Sequence, residues 1–135
     1  MIAILDSGPL WASINSSDDA HLPSVETLDR RDLPFVIPSL VVGEVAYFAA
    51  RLVGPAAEAR FLRTLRTRDV RAPLSEDWSR IAELVERYAD FPLGTVDASV
   101  IALAERLETD LVVTLDHRHF RAMRPRHVPA FQILP

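Results

Sequence analysis

Neither cysteine nor lysine occurs in this chain. Without cysteine there is no disulfide framework and no thiolate metal site, and a reducing compartment is permitted. Without lysine, all 15 basic residues are arginine. That excludes phosphate-binding loops of the GxxxxGK[ST] type, Schiff-base enzymes and receiver-type phosphoacceptor domains, each of which depends on a lysine. Long apolar runs are absent as well. None approaches the roughly 20 residues that cross a bilayer, so no membrane association is expected. No basic segment leads into a longer apolar stretch at the N-terminus, which argues against a secretory signal.

What remains is an ordinary globular composition. The chain has 135 residues, 49% of them apolar and 25% charged, with a formal net charge of −4. That length predicts one domain, 1–135, around one core. The negative sum argues against a protein that coats nucleic acid, but arginine is unevenly placed. Arg51, Arg60, Arg63, Arg66, Arg68 and Arg71 form one group, and Arg118, Arg121, Arg124 and Arg126 a second. Each group is readable as a solvated helix face, the first ion-paired to Glu58 and Asp69, or as a set of phosphate contacts.

Short β-rich runs alternate with longer helical patterns. Strands are predicted at 2–6, 35–37, 70–72, 111–115 and 130–134. Helices are predicted from 10 to 14 and over 20–31, 40–52, 56–68, 76–89 and 96–108, with a short turn or helix at 117–122. Ser39 and Thr95 are read as helix caps. The two helices flanking Gly54-Pro55 form a hairpin. This alternation predicts an α/β/α sandwich with a mainly parallel sheet, in which ligands bind beyond the carboxyl ends of the strands.

Four acids stand at such ends or in apolar helix starts: Asp6, Glu44, Asp97 and Asp116. Asp6 closes Ile2-Ala3-Ile4-Leu5, and Asp116 closes Leu111-Val112-Val113-Thr114-Leu115. Glu44 and Asp97 lie within Val41-Val42-Gly43-Glu44-Val45-Ala46 and Val96-Asp97-Ala98-Ser99-Val100-Ile101. Aspartate also serves as a cap, a turn residue or a first-turn helix acid, so each position alone is ambiguous. A carboxylate among apolar neighbours is costly to bury without compensation. A divalent cation with hard oxygen ligands, Mg²⁺ or Mn²⁺, is the simplest compensation for four that converge. Thr114 shares a strand face with Asp116. Two roles stay open for Ser7, a bond to a water at such a site or a helix cap. His117 and His119 lack zinc-ligand spacing.

These residues, in this order and spacing, resemble the PIN-domain ribonucleases, and most closely the VapC-type toxins of type II toxin–antitoxin pairs. The resemblance rests on Asp6-Ser7 after the first strand, the Pro38-Ser39-x-x-x-x-Glu44 pattern, Asp97-Ala98-Ser99 opening a helix, and Leu111 to Asp116 followed by Phe120. It covers essentially the whole chain. It implies a single PIN-like α/β/α domain and metal-dependent cleavage of RNA in the cytoplasm. Asp6, Glu44, Asp97 and Asp116 would be the catalytic and metal-binding carboxylates, with Mg²⁺ or Mn²⁺ as cofactor. Ser7, Thr114, Arg118 and Arg121 would contact substrate. It further implies a homodimer restrained by a cognate VapB-like antitoxin, in a groove to which Trp11, Val45, Tyr47, Phe48 and Leu52 are candidate contributors. The alternative is a catalytically silent PIN-like module that binds RNA or protein. A haloacid-dehalogenase-like phosphatase fails on Gly8, where a second aspartate is needed, and on the missing lysine.

Overall fold

The computed structural model describes residues 1–135. Five strands form one sheet: β1 (Ala3–Leu5), β2 (Phe35–Pro38), β3 (Asp69–Arg71), β4 (Leu111–Val113) and β5 (Gln132–Leu134). Their order is β3-β2-β1-β4-β5, with every neighbouring pair parallel. The helices are α1 (Ser7–Ile14), α2 (His21–Leu28), α3 (Ser39–Leu52), α4 (Pro55–Thr64), α5 (Ser75–Arg87), α6 (Thr95–Arg106) and α7 (His117–Ala122). A 3-10 turn, Leu65–Thr67, separates α4 from β3.

Parallel strands need crossover helices, and those helices cover both faces. Leu5, Phe35 and Ile37 share an interface with Leu10, Val25 and Leu28 of the first two helices. On the other face Pro38 meets Ile81 of α5 and Ser99, Ala102 and Leu103 of α6. This explains why the central strands read as unbroken apolar runs: Ala3, Ile4 and Leu5, and Leu111, Val112 and Val113, are all buried. Each fully buried Leu, Ile or Val contributes about 1.5–3 kcal/mol. Helix α6 is buried from Ala98 through Ala104, and its alanines let it lie close to the sheet. In α3 only Val41, Val45 and Ala49 are buried, a stripe at four-residue spacing.

The expected elements are all present with shifted ends: most are shorter than read from sequence, but α1 begins earlier, at Ser7, β2 extends to Pro38, and β3 is displaced to Asp69–Arg71. Two caps are corrected. Ser39 and Thr95 are the first helical residues, and Pro38 and Gly94, both in extended conformation, hold the cap positions. The predicted helix over 56–68 ends at Thr64 and tightens into the 3-10 turn.

Candidate active site

Strand order makes the site. β1 is central, the chain adds β2 and then β3 on one side, and β4 and β5 fill the other. The switch point therefore lies between the carboxyl ends of β1 and β4, where open parallel sheets bind ligands. Asp6 follows β1 directly, and Thr114 and Asp116 follow β4.

Asp6 is only 4% exposed. Its Oδ1 accepts from the Ser7 N–H at 2.8 Å, so Asp6 itself is the cap of α1, and the capping role left open for Ser7 is not taken. Its Oδ2 accepts from the Thr114 hydroxyl at 2.7 Å, across the switch point. The Thr114 oxygen in turn accepts from the Asp116 N–H at 3.0 Å. Asp116 caps α7 through the His119 N–H at 3.2 Å. His119 Nδ1 also lies 2.5 Å from Asp116 Oδ2. That contact lacks hydrogen-bond alignment. Glu44 enters from α3, half-buried beside Val45, and Asp97 from the first turn of α6, also half-buried.

The charges of these acids feel one another. Burial pushes the Asp6 carboxyl above its ordinary range, the bonds from Thr114 and Ser7 work against that rise, and Glu44 and Asp116 add to it. Asp97 is pushed up to about 7, first by burial and then by Asp6, Asp116 and Glu44, with His119 opposing. Burial joined by neighbouring like charges, acting on a carboxyl in this way, marks a functional site more often than a structural one. As the side chains stand, no three acidic or imidazole groups are drawn in closely enough to share an ion. The acids are gathered within Coulombic reach but not clasped. None of them lines any of the molecule's five clefts.

The arginines divide. Arg126 pairs with Glu83, and Arg124 donates to the carbonyls of Arg121 and Met123. Arg118 and Arg121, on α7 beside Asp116, are exposed and take no carboxylate partner. In the first group Arg71 pairs with Asp69 as expected, and Glu58 pairs with none. Sequence reading gave no place to Phe91, whose ring packs on His119 at 4.6 Å between centroids. No local signal announced it, because the contact joins distant segments.

A family model described as PIN domain matches residues 3–124. Ribonuclease VapC26 of Mycobacterium tuberculosis (strain ATCC 25618 / H37Rv) is 31% identical over 134 residues, 98% of this chain and 99% of the relative. The chain belongs to the PIN-domain family, among its VapC-type ribonucleases. Solved VapC structures share the fold. Mycobacterium tuberculosis VapC20, a sarcin-ricin loop cleaving toxin, superposes with a TM-score of 0.75 at 18% identity, over 83% of this chain and 87% of that one. A chain of Rickettsia felis VapBC2, bound to a DNA fragment from their promoter, gives 0.71 at 17% identity, with both chains covered completely. A toxin–antitoxin complex from Klebsiella pneumoniae gives 0.66 at 18% identity, over 96% and 99%. The expected PIN-like α/β/α fold and VapC-type membership both hold.

Proposed function

We propose that this VapC-type chain is the toxin of a toxin–antitoxin pair, and that it hydrolyses RNA at Asp6, Glu44, Asp97 and Asp116 with Mg²⁺ or Mn²⁺. The observation that carries this reading is the placement of Asp6 and Asp116 just beyond the carboxyl ends of β1 and β4, with Asp97 of α6 and Glu44 of α3 within Coulombic reach of them. Four oxygen-donor side chains and no sulfur ligand fit a hard cation. The chemistry such an ion supplies when bound is charge neutralisation on the scissile phosphate and a more acidic water.

The chain's own groups do the rest. Thr114 and the Ser7 N–H fix the Asp6 carboxylate in one orientation. Asp116 is fixed at the start of α7 by His119. The Asp97 carboxyl, pushed up to about 7, suits a group that holds or accepts a proton from the attacking water. Ser7 and Thr114 border the reacting phosphate. Arg118 and Arg121 hold the RNA backbone, whose charge the acidic face would otherwise repel.

The partner is a VapB-like antitoxin acting in the cytoplasm, and a second copy of the chain completes a homodimer. An apolar cleft of about 220 Å³ between α1, α3 and α4 supports an antitoxin segment. Trp11, Ala49, Val53 and Phe61 line it. Of the side chains expected there, Val45 is in the core, Phe48 stacks behind Trp11, and Tyr47 and Leu52 are exposed nearby.

The test uses purified protein freed of antitoxin, total bacterial RNA, and Mg²⁺, Mn²⁺ or chelator. Discrete metal-dependent fragments are expected, absent with Asp6→Asn, Glu44→Gln and Asp97→Asn. Retained cleavage in all three folded variants would overturn the site assignment. Binding without cleavage in the parent protein would favour a silent module.

A further inference from the structure

Phe91 lies in the turn between α5 and α6, shortly before Asp97, and is half-buried. Two side chains of α7 sit on its ring. Arg118 places Cζ 5.2 Å from the ring centroid. His119 packs at 4.6 Å with the planes tilted by 50°. His119 also touches Asp116. A continuous line of contacts therefore runs from Arg118 through Phe91 and His119 to the acidic set.

Arg118 and Arg87, whose Cζ lies 5.7 Å from the Tyr88 ring centroid, each have an aromatic neighbour and no carboxylate partner, and of the two only Arg118 follows one of the four acids closely in sequence. Arg80, Arg106 and Arg126 are each tied to a carboxylate. Arg118 follows Asp116 closely in sequence yet forms no ion pair, and its exposed guanidinium is held by a ring instead. Its N–H donors stay free while its position is restrained. A guanidinium in that state suits a flat ligand with an adjoining negative charge, because it stacks and donates together. A nucleotide whose base has left its stack is such a ligand.

We propose that Arg118 and Phe91 form a nucleobase subsite beside the carboxylates, taking one unstacked base of single-stranded RNA next to the scissile phosphate. His119 is a positioning residue that fixes this platform relative to Asp116. The proposal rests on the ribonuclease reading of the acidic set. Stacking accepts any base, so the subsite sets where the strand is cut relative to the protein more than which letter is read. Arg121, which has no aromatic neighbour, acts on phosphate alone.

The test is a cycle between protein variants and abasic RNA. The probe is a short single-stranded oligonucleotide spanning a cut mapped in total RNA, with one abasic nucleotide moved through each position around it. Binding is read by fluorescence anisotropy on the non-cleaving Asp97→Asn protein, and cleavage of the same oligonucleotides on the parent. One abasic position is expected to weaken binding by roughly 5- to 100-fold. Adding Arg118→Ala or Arg118→Lys lowers binding of intact RNA by a similar factor and removes the penalty at that position. Phe91→Leu, which keeps apolar packing, does the same. Arg121→Ala weakens binding but keeps the abasic penalty. Full rescue by Arg118→Lys, or an abasic penalty equal with and without Arg118, would reduce Arg118 to a charge and overturn the subsite. Cleavage by the parent alongside either result leaves the acidic site standing. A parent that cuts no RNA with either metal removes both.

Discussion

The Thr114 hydroxyl serves two partners, donating to Asp6 Oδ2 and accepting from the Asp116 N–H. Thr114→Val keeps the shape and removes both bonds. It leaves a buried carboxylate and an N–H short of partners, at about 1–3 kcal/mol of stability. Metal affinity and cleavage are expected to fall about 10- to 100-fold, the usual loss when a ligand's support is removed. Urea unfolding and Mn²⁺ titration check the two effects separately. Asp97 gives the pH prediction. Its carboxyl ionises at about 7 in the folded chain against 3.8 for an unperturbed aspartate. Between those values the folded state binds more protons than the unfolded state, so stability falls as pH rises through that window. The elevated Asp6 carboxyl has the same sign. Without divalent cation, the protein is expected to melt at a lower temperature at pH 8 than at pH 5. Asp97→Asn should flatten that dependence and raise the melting temperature at pH 8 while cleavage drops on the order of 10²–10⁴-fold. A steeper pH dependence in Asp97→Asn would refute the linkage.

At the scale of elements, the helices act as carriers. α3 fixes Glu44 at the margin of its buried stripe of Val41, Val45 and Ala49, and α6 fixes Asp97 by being buried from Ala98 onward. α5 is tied to α6 by charge. Arg80 is 7% exposed and makes a two-pronged contact with Glu105, which is 11% exposed, and Arg106 reaches Asp77 at 2.9 Å. Removing Glu105 leaves Arg80 only the more exposed Glu83, 3.0 Å from its Nη1. Glu105→Ala is expected to cost about 1–3 kcal/mol, and the double change Arg80→Met with Glu105→Leu to recover most of it. Denaturant midpoints for both variants test this. The C-terminus of α6 carries a separate strain: Glu108 has φ of 53°, a left-handed conformation that suits glycine. Relief of about 1–2 kcal/mol is offset in part by the greater freedom of glycine when unfolded. Glu108→Gly should therefore stabilise by roughly 0.5–1 kcal/mol. It lies at the far end of β4 from the carboxylates, so kcat should not change.

For the molecule as a whole, four acids within Coulombic reach at the carboxyl end of the sheet cost stability. A cation that binds only the folded chain returns stability, about 2.7 kcal/mol at a concentration one hundred times its dissociation constant. Adding Mn²⁺ or Mg²⁺ should thus raise the melting temperature of the parent, and chelator should reverse it. Asp6→Asn should respond far less. An equal response in Asp6→Asn would place the stabilising ion elsewhere.

Much of this was legible in the chain itself. Unbroken apolar runs marked the strands and stripes of period four the helices, because a strand covered on both faces buries every side chain while a helix buries one stripe. Asp6, Asp116 and Thr114 were legible because a polar residue ending an apolar run stands at a strand's carboxyl end. The caps at Pro38 and Gly94 were not, since an extended backbone one residue before the helix, rather than a side-chain bond, starts α3 and α6. Other features depended on the three-dimensional arrangement. Strand order put β1 between β2 and β4, and that placement joined Thr114 to Asp6. The hold of Phe91 on Arg118 and His119 arose in the same way, from segments distant in sequence. Sequence determines which residues can carry charge and which must be buried. Only tertiary packing decides which charges share a low-dielectric neighbourhood, and with that which of them repel strongly enough to need a cation.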